Sequence, residues 1–329
     1  MNHSKRRFVG QLAGLVALTG LLALPAARAD DYPNRPIRLI VPFAAGGTTD
    51  LVARAVSQKA AEALGQPLVV ENHAGGGGSV GAAEVARAQP DGYILGVATV
   101  STTATNPATN AHLPYNPLTD FTPIVNMAAT PNILAANPAF PARDYAGFVA
   151  EVKKKPGQYG FGTAGTGSIA HMLMALYQEQ TGLSLTHVPY RGSGPALIDA
   201  VSGQVPLVFD NLPSALPFVK SGRLVALAVA SPKRLPQLPE VPTFKELGVE
   251  PVNRMAFYGL YGPKGLPKAV VDRVNAALLK ALADPGVKKQ IEGTGSQVVG
   301  GTPEQFARDI AAENAVYKQI ATKYRITVE

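Results

Sequence analysis

The 329-residue sequence has no cysteine, which removes disulfide frameworks, thiolate metal sites and a cysteine nucleophile together. Histidine is scarce as well. The five present are His3, His73, His112, His171 and His187; none stands in an H-E-x-x-H or other close ligand spacing, so neither a metal centre nor a cofactor is expected. The longest apolar run, Leu12 to Leu24, falls short of the roughly 20 residues that a bilayer-spanning helix needs. A true excess of base is also missing. Of the 30 lysines and arginines, four (Lys5, Arg6, Arg7 and Arg28) lie in the first 29 residues, which hold no acid, so 26 bases face 23 acids in the rest. That balance excludes the clustered basic face of a nucleic-acid binder, while a mildly positive surface suits anionic ligands.

What is present begins with an export pattern. Lys5-Arg6-Arg7, the apolar run and Ala27-Arg28-Ala29 have the order of a secretory signal peptide, so residues 1–29 are expected to be cleaved and Asp30 to open a periplasmic chain. A lipoprotein anchor would need a cysteine at the cleavage point. The roughly 300 residues left, in a sequence 46% hydrophobic, supply a core large enough to fold without disulfides and long enough for two domains.

From Ile37 onward short apolar runs alternate with helical patterns, the mark of parallel sheets covered by helices. Strands are expected at Ile37–Pro42, Pro67–Glu71 and Tyr93–Ala98, with helices at Thr49–Leu64 and Val80–Ala88. A polar loop, Thr99–Pro117, precedes apolar segments at Phe121–Met127 and Asn132–Ala136. A second series follows, with strands at Tyr159–Thr163, Leu185–Val188, Val205–Asp210 and Leu224–Ala230 and helices at Tyr145–Lys155, Ser168–Thr181 and Pro195–Ser202. Then come a strand at Met255–Tyr261 and helices at Lys268–Ala283, Gly286–Glu292 and Pro303–Tyr324, with Pro267 and Pro303 at helix starts where a missing N–H is harmless. The fold class is therefore α/β in two lobes. Residues 30–128 and 253–329 form the first lobe and 129–252 the second, with hinge crossings near 128 and 253.

Five loops rich in glycine and hydroxyls lie between an expected strand and the next helix. They are Pro42–Asp50, Ala74–Ser79, Ala98–Thr103, Thr163–Ser168 and Pro189–Gly194. In open α/β sheets ligands bind at this edge. Glycine lets backbone N–H groups approach closely, hydroxyls add donors and each helix N-terminus adds partial positive charge, a combination that suits a carboxylate.

Two enzyme-like spellings are weaker. Gly160-Phe161-Gly162-Thr163-Ala164-Gly165 matches G-x-G-x-x-G, but its first glycines fall inside a strand and no acid follows at ribose-binding distance. Gly77-Gly78-Ser79-Val80-Gly81 matches G-x-S-x-G, although Ser79 comes seven residues after Asn72 rather than directly after its strand. A secreted hydrolase using Ser79 is the alternative to a receptor, and a solute sensor for a membrane signalling protein is a second. His171, one turn into its helix, either meets a ligand or packs; Asp50 either caps the first helix or faces the ligand. Asp210 ends a strand and either meets a ligand amino or hydroxyl group or caps the next turn. Arg191 either pairs with a carboxylate or ties the lobes, and Phe43, Tyr115 and Tyr190 are candidates for pocket walls.

Taken in combination, these motifs resemble the Bug-type substrate-binding receptors of tripartite tricarboxylate transporters over nearly the whole exported chain. The resemblance rests on Tyr32-Pro33-Asn34-Arg35-Pro36-Ile37, Val41-Pro42-Phe43 and Gly46-Gly47 with Asp50 and Arg54; on Glu71-Asn72 and Pro90-Asp91-Gly92-Tyr93; and on Gly165-Thr166-Gly167-Ser168 with His171. His187-Val188-Pro189-Tyr190-Arg191-Gly192, Gly203-Gln204-Val205, Pro239-Glu240-Val241-Pro242-Thr243 and Glu246-Leu247-Gly248 complete it. It implies a Venus-flytrap periplasmic binding fold of type II character, a ligand carboxylate held by the first loop's backbone through ordered water, and a membrane permease as partner to a monomeric receptor. The family's recurring contacts fall here on Phe43, Gly47, Thr48, Thr163, Gly165, Gly167 and Ser168, and its variable ones on Ser79, Ser101, Thr102, His171 and Asp210. Ala164 departs from the pattern, because many relatives carry a serine hydroxyl there. The mechanism expected is binding and closure without chemistry.

Overall fold

The computed structural model describes residues 32–327; the expected signal segment, residues 1–29, lies outside them. Residues from Pro33 onward form one compact unit, built on two sheets. The first begins with β1 (Ile37–Val41), whose buried IRLIV run pairs in parallel with β2 (Leu68–Asn72) and β3 (Ile94–Thr99). Between β1 and β2 runs α1 (Thr48–Leu64), which stops at Gly65. That glycine takes φ +79°, a left-handed cap that side chains rarely adopt. The helix α2 (Ser79–Ala86) connects β2 to β3.

The first half of the segment expected as a polar loop, Ser101–Thr109, is helical and largely buried, and residues 110–117 form the loop. Ser101–Thr105 form a π-helical turn continuing into α3 (Asn106–Thr109), and all five residues of the turn are inaccessible. Threonine hydroxyls make this tolerable by donating back to the ladder: Thr103 Oγ1 reaches Thr99 O at 2.8 Å and Thr109 Oγ1 reaches Thr105 O at 2.8 Å.

The long strand β4 (Phe121–Thr130) belongs to the first sheet and β5 (Asn132–Ala136) to the second, so the chain changes sheets across Pro131 alone. The second sheet adds β6 (Gly160–Thr163), β7 (Thr186–Pro189), β8 (Leu207–Asn211) and β9 (Val225–Ala230). Its helices are α4 (Tyr145–Lys154), α5 (Ile169–Thr181), α6 (Ser193–Ser202) and α7 (Leu212–Lys220). The chain returns through β10 (Ala256–Pro263), buried along its whole length between β3 and β4. Then follow α8 (Lys268–Ala283), α9 (Pro285–Glu292), the edge strand β11 (Gln297–Gly300) and α10 (Pro303–Tyr324). Strand order is β11-β4-β10-β3-β1-β2 in one sheet and β7-β6-β8-β5-β9 in the other.

Neither sheet is wholly parallel, as the alternation alone suggests. β10 runs antiparallel to both its neighbours, and β5 is antiparallel to β8 and β9. The reason is the crossing itself: a strand that enters directly from the other sheet, with no helix to carry the chain back, points the opposite way. Each sheet thus holds a strand delivered by the other. The C-terminal helices pack on the first sheet's side, α8 and α9 against α1 and α10 against β4.

Candidate functional site

The strand-to-helix loops of the two sheets face each other. The first loop is braced from behind by Asp50, which accepts from Gly46 N at 3.2 Å, Arg54 Nε at 3.0 Å and Asn72 Nδ2 at 3.1 Å. Asn72 Nδ2 also donates to Phe43 O at 2.9 Å. Burial raises the Asp50 carboxyl, but the Arg54, Gly46 and Asn72 donors outweigh this and hold it below the usual carboxylate range. Asp50 is a fixture of the loop rather than a group offered to a ligand.

On the opposite side, Thr163–Ser168 builds its own scaffold. Thr163 Oγ1 bonds His187 Nε2 at 2.7 Å and accepts from Gly165 N at 3.2 Å, while Ser168 Oγ caps α5 by accepting from His171 N at 3.3 Å. Gly167 N donates to His171 Nδ1 at 3.2 Å, and the His171 ring stacks on His187 with centroids 4.1 Å apart. An accepting Nδ1 places the neutral ring's proton on Nε2. Burial lowers His171, and burial with the neighbouring His171 takes His187 down to about 3. Both rings are neutral spacers.

Several contacts then join the two sides. Ala44 N donates to Arg191 O at 3.2 Å, and Ile169 N to Ser101 Oγ at 3.0 Å. Thr105 Oγ1 donates to Gly167 O at 2.6 Å; Thr48 Oγ1 and Ser214 Oγ lie 2.8 Å apart, with Ser214 N donating to Thr48 Oγ1 at 3.2 Å. Asn132 Nδ2 donates to Arg254 O at 2.7 Å and ties the two crossings together. Glycine is required where backbones meet: a Cβ on Gly77 would stand 2.3 Å from Thr166 O, and one on Gly194 2.4 Å from Ala45 O. The structure is closed.

Between these contacts lies a cavity of about 20 Å³, walled by Phe43, Thr49, Ser101, Ser168, Ser193, Asn211 and Tyr258 among others. Thr49 stands in the first turn of α1, Ser168 caps α5, Ser193 is the first residue of α6 and Asn211 precedes α7. Four helix N-termini converge on one point, an arrangement that favours negative charge. A wider groove of about 490 Å³ opens beside Gly76, Thr166, Tyr190 and Arg191. It holds one helix start, at Pro195 near the head of α6, and we take the small cavity as the site because the dipoles meet there.

The twelve expected contacts fall into groups. Phe43, Ser101 and Ser168 line the cavity. Gly47 and Thr48 stand on the seam beside it; a Cβ on Gly47 would lie 3.2 Å from Ser193 Cβ. Thr163, Gly165, Gly167 and His171 hold the loop in shape. Thr102 is turned inward, its Oγ1 engaged by Thr99 N at 3.1 Å and its carbonyl by Tyr115 Oη at 2.8 Å. Asp210 sits behind the wall, accepting from Ser193 and Ser214. Ser79 stands apart at the head of α2, after a 3₁₀ turn of glycines, and lacks the strand-end turn of a nucleophile elbow. Thr49 and Ser193 lie in expected loops but are not singled out there, and three residues escape sequence reasoning altogether: Asn211, Ser214 and Tyr258. Asn211-Leu212-Pro213 carried a usable signal, because a polar residue before a proline one or two positions into a run marks a helix start.

Known proteins share this architecture. Residues 52–326 match the family described as the tripartite tricarboxylate transporter family receptor. Protein BugT of Bordetella pertussis is 35% identical over 301 residues, covering 91% of this chain and 92% of its own. A solved structure described as a periplasmic transporter is 47% identical with a TM-score of 0.89, over 91% of this chain and 100% of that one. A Rhodopseudomonas palustris protein solved with adipate is 33% identical at TM-score 0.86, covering 90% of this chain and 99% of the other. MatC from the same species, solved with malate, is 34% identical at TM-score 0.84, covering 88% and 99%.

Proposed function

Because the chain belongs to the tripartite tricarboxylate transporter receptor family, a family of solute-binding receptors rather than enzymes, we propose that it is an exported periplasmic receptor that closes on a small carboxylate and passes it to a membrane permease. The lobes are residues 30–128 with 253–329, and 129–252. The observation that carries this reading is the convergence of the starts of α1, α5, α6 and α7 on one buried cavity lined by hydroxyls. Adipate and malate in two relatives of the same fold support the carboxylate; the permease follows from the family alone.

A cavity of about 20 Å³ has room for about one water. A carboxylate therefore enters only when the loops part. Asn132, bonded to Arg254 O and to Asn211 at the crossings, holds the hinge while the contacts between the facing loops open. A ligand favours closure to the extent that it binds the closed form more tightly than the open one.

The test is a melting screen of the exported chain with aliphatic, aromatic and amino-acid carboxylates, together with mass spectrometry of whatever the denatured protein releases. Ligand linkage raises the melting temperature for the right compound. If no carboxylate in a broad set moves the curve and none is released, the reading is wrong.

A further inference from the structure

One end of the cavity presents acceptors in place of donors. Ser193 is buried at the head of α6, and its hydroxyl donates to Asp210 Oδ1. Ser214 Oγ donates to Asp210 Oδ2 at 2.7 Å. An ionised carboxylate only accepts, so both serine protons are committed to it. Ser193 keeps nothing but lone pairs for the cavity. Tyr258 is in the same condition, because its hydroxyl proton goes to Asn211 Oδ1 at 2.6 Å, and Asn211 gives one of its two amide hydrogens to Asn132 Oδ1, also at 2.6 Å.

The surroundings of Asp210 keep it the governing group. From β5 it faces Ile133, from α6 Ser193, from α7 Ser214 and from β10 Tyr258. The titratable neighbour is Tyr258, held neutral because burial, with Asp210 nearby, raises it far above its usual range. No basic side chain acts on Asp210 among the described residues. Its charge is balanced by hydroxyls and a backbone N–H alone, and a second carboxylate brought to this wall meets repulsion from Asp210 and finds no hydroxyl donor on Ser193 or Tyr258.

We propose, building on the receptor function above, that Asp210 fixes the hydrogen-bond polarity of Ser193, so that the site selects carboxylates whose far end carries a hydroxyl or ammonium donor over those ending in a second carboxylate. Asp210 is a positioning residue here, acting through Ser193. Protonation inverts the arrangement: the Asp210 carboxyl O–H donates a hydrogen bond to Ser193 Oγ, and the serine proton becomes free to point into the cavity. Burial moves Asp210 up to about 6, which brings that inversion within reach of ordinary buffers.

Two matched probe pairs test this by calorimetry, 6-hydroxyhexanoate against adipate and 4-hydroxybutyrate against succinate, at pH 8 and pH 5.5. Wild type is expected to favour the donor-bearing member of at least one pair by about tenfold at pH 8, with the ratio falling at pH 5.5. Ser193→Ala, whatever its overall affinity, loses both the preference and the part of its pH dependence that does not come from the ligand's own titration, since that titration is common to both proteins. Asp210→Asn shows a preference that no longer changes with pH beyond the same ligand contribution. A preference that survives unchanged in Ser193→Ala, or binding with no preference in wild type, overturns the proposal and leaves the receptor function standing. Failure of every probe and of the wider carboxylate screen overturns the receptor function and this inference with it.

Discussion

Replacing Asp210 by asparagine removes a buried carboxyl while keeping its shape, and the stability consequence follows from its partners. Burial lifts the group from 3.8 to about 6, against the opposing pull of Ser193, Ser214 and the Asn211 N–H. A folded-state value above the unfolded one means that stability is fully present below about pH 4 and is lost as pH rises through about 6. A difference of about 2 units, at about 1.4 kcal/mol each, is about 3 kcal/mol. Asparagine does not titrate. Whatever its amide loses or gains in rebonding the two serines is the same at every pH, so the informative quantity is the stability of the variant minus that of wild type. That difference should grow by about 3 kcal/mol from about pH 4 to about pH 8, with most of the change between 4 and 6.5. Urea unfolding at five pH values without added carboxylate measures it. The neutral histidine pair loses stability in acid, with the opposite sign, but it is present in both proteins and cancels. A difference that stays flat over this range would show that Asp210 is not a buried, unpaired acid, and the polarity assigned to Ser193 would lose its cause.

Gly47→Val places a branched side chain against Ser193, whose Cβ would already lie 3.2 Å from an added Cβ; the fold should survive because Gly47 is in extended backbone at φ −84°. The variant should have a larger radius of gyration by X-ray scattering and no melting response to carboxylates, and unchanged affinity would mean that the seam does not close at this point. Gly259→Ala, in the middle of β10, would put a Cβ 2.1 Å from the Phe306 ring and 2.6 Å from Val125 O. It should lose about 3 kcal/mol or fail to fold, and a melting temperature within a degree of wild type would show that α10 shifts freely. His187, buried and taken down to about 3 beside His171, is neutral in the fold and charged when unfolded below about pH 6.5. Its contribution is therefore present above 6.5 and lost as pH falls toward 3, so His187→Gln should flatten the acid limb of the stability curve; an identical limb would assign acid sensitivity elsewhere.

Much of the fold could be read from apolar spacing because most elements obey a single period. Helices α8 and α10 and strand β5 have the bounds that the sequence predicts, with Pro303 at the first position of α10 and Thr302 capping it by accepting from Gln305 N at 3.2 Å. What escaped has a local cause in each case. Two prolines in nine residues, Pro213 and Pro217, disguise α7, although the first falls where no N–H is needed. Strand β11 has four residues at an exposed edge and no alternation to mark it. Serine and threonine compete with the helical ladder in isolation, so Ser101–Thr105 reads as loop; in the folded chain Asn314 Nδ2 reaches Thr103 O at 2.8 Å and Thr105 turns its hydroxyl across to Gly167 O.

The loops were legible where glycine had to be, and much less so in what each side chain does there. His171 and Thr163 stand in a ligand-bearing motif by position, yet the Nδ1 of one and the hydroxyl of the other are used by Gly167 N and His187. Asp210 lies in the motif region too, and its charge reaches the cavity only through Ser193, a residue with nothing in its own sequence neighbourhood to separate it from a helix-starting serine. Spacing along one strand cannot report that Ser193, Ser214 and Thr48 meet, since they come from α6, α7 and α1. A carboxylate that holds two hydroxyl protons also decides which way a third hydroxyl, Thr48 Oγ1, must point: it accepts from Ser214 N and gives its proton to Ser214 Oγ. The hydrogen-bond polarity of the cavity wall at Ser193 and that of the seam at Thr48 are then set by the same buried acid.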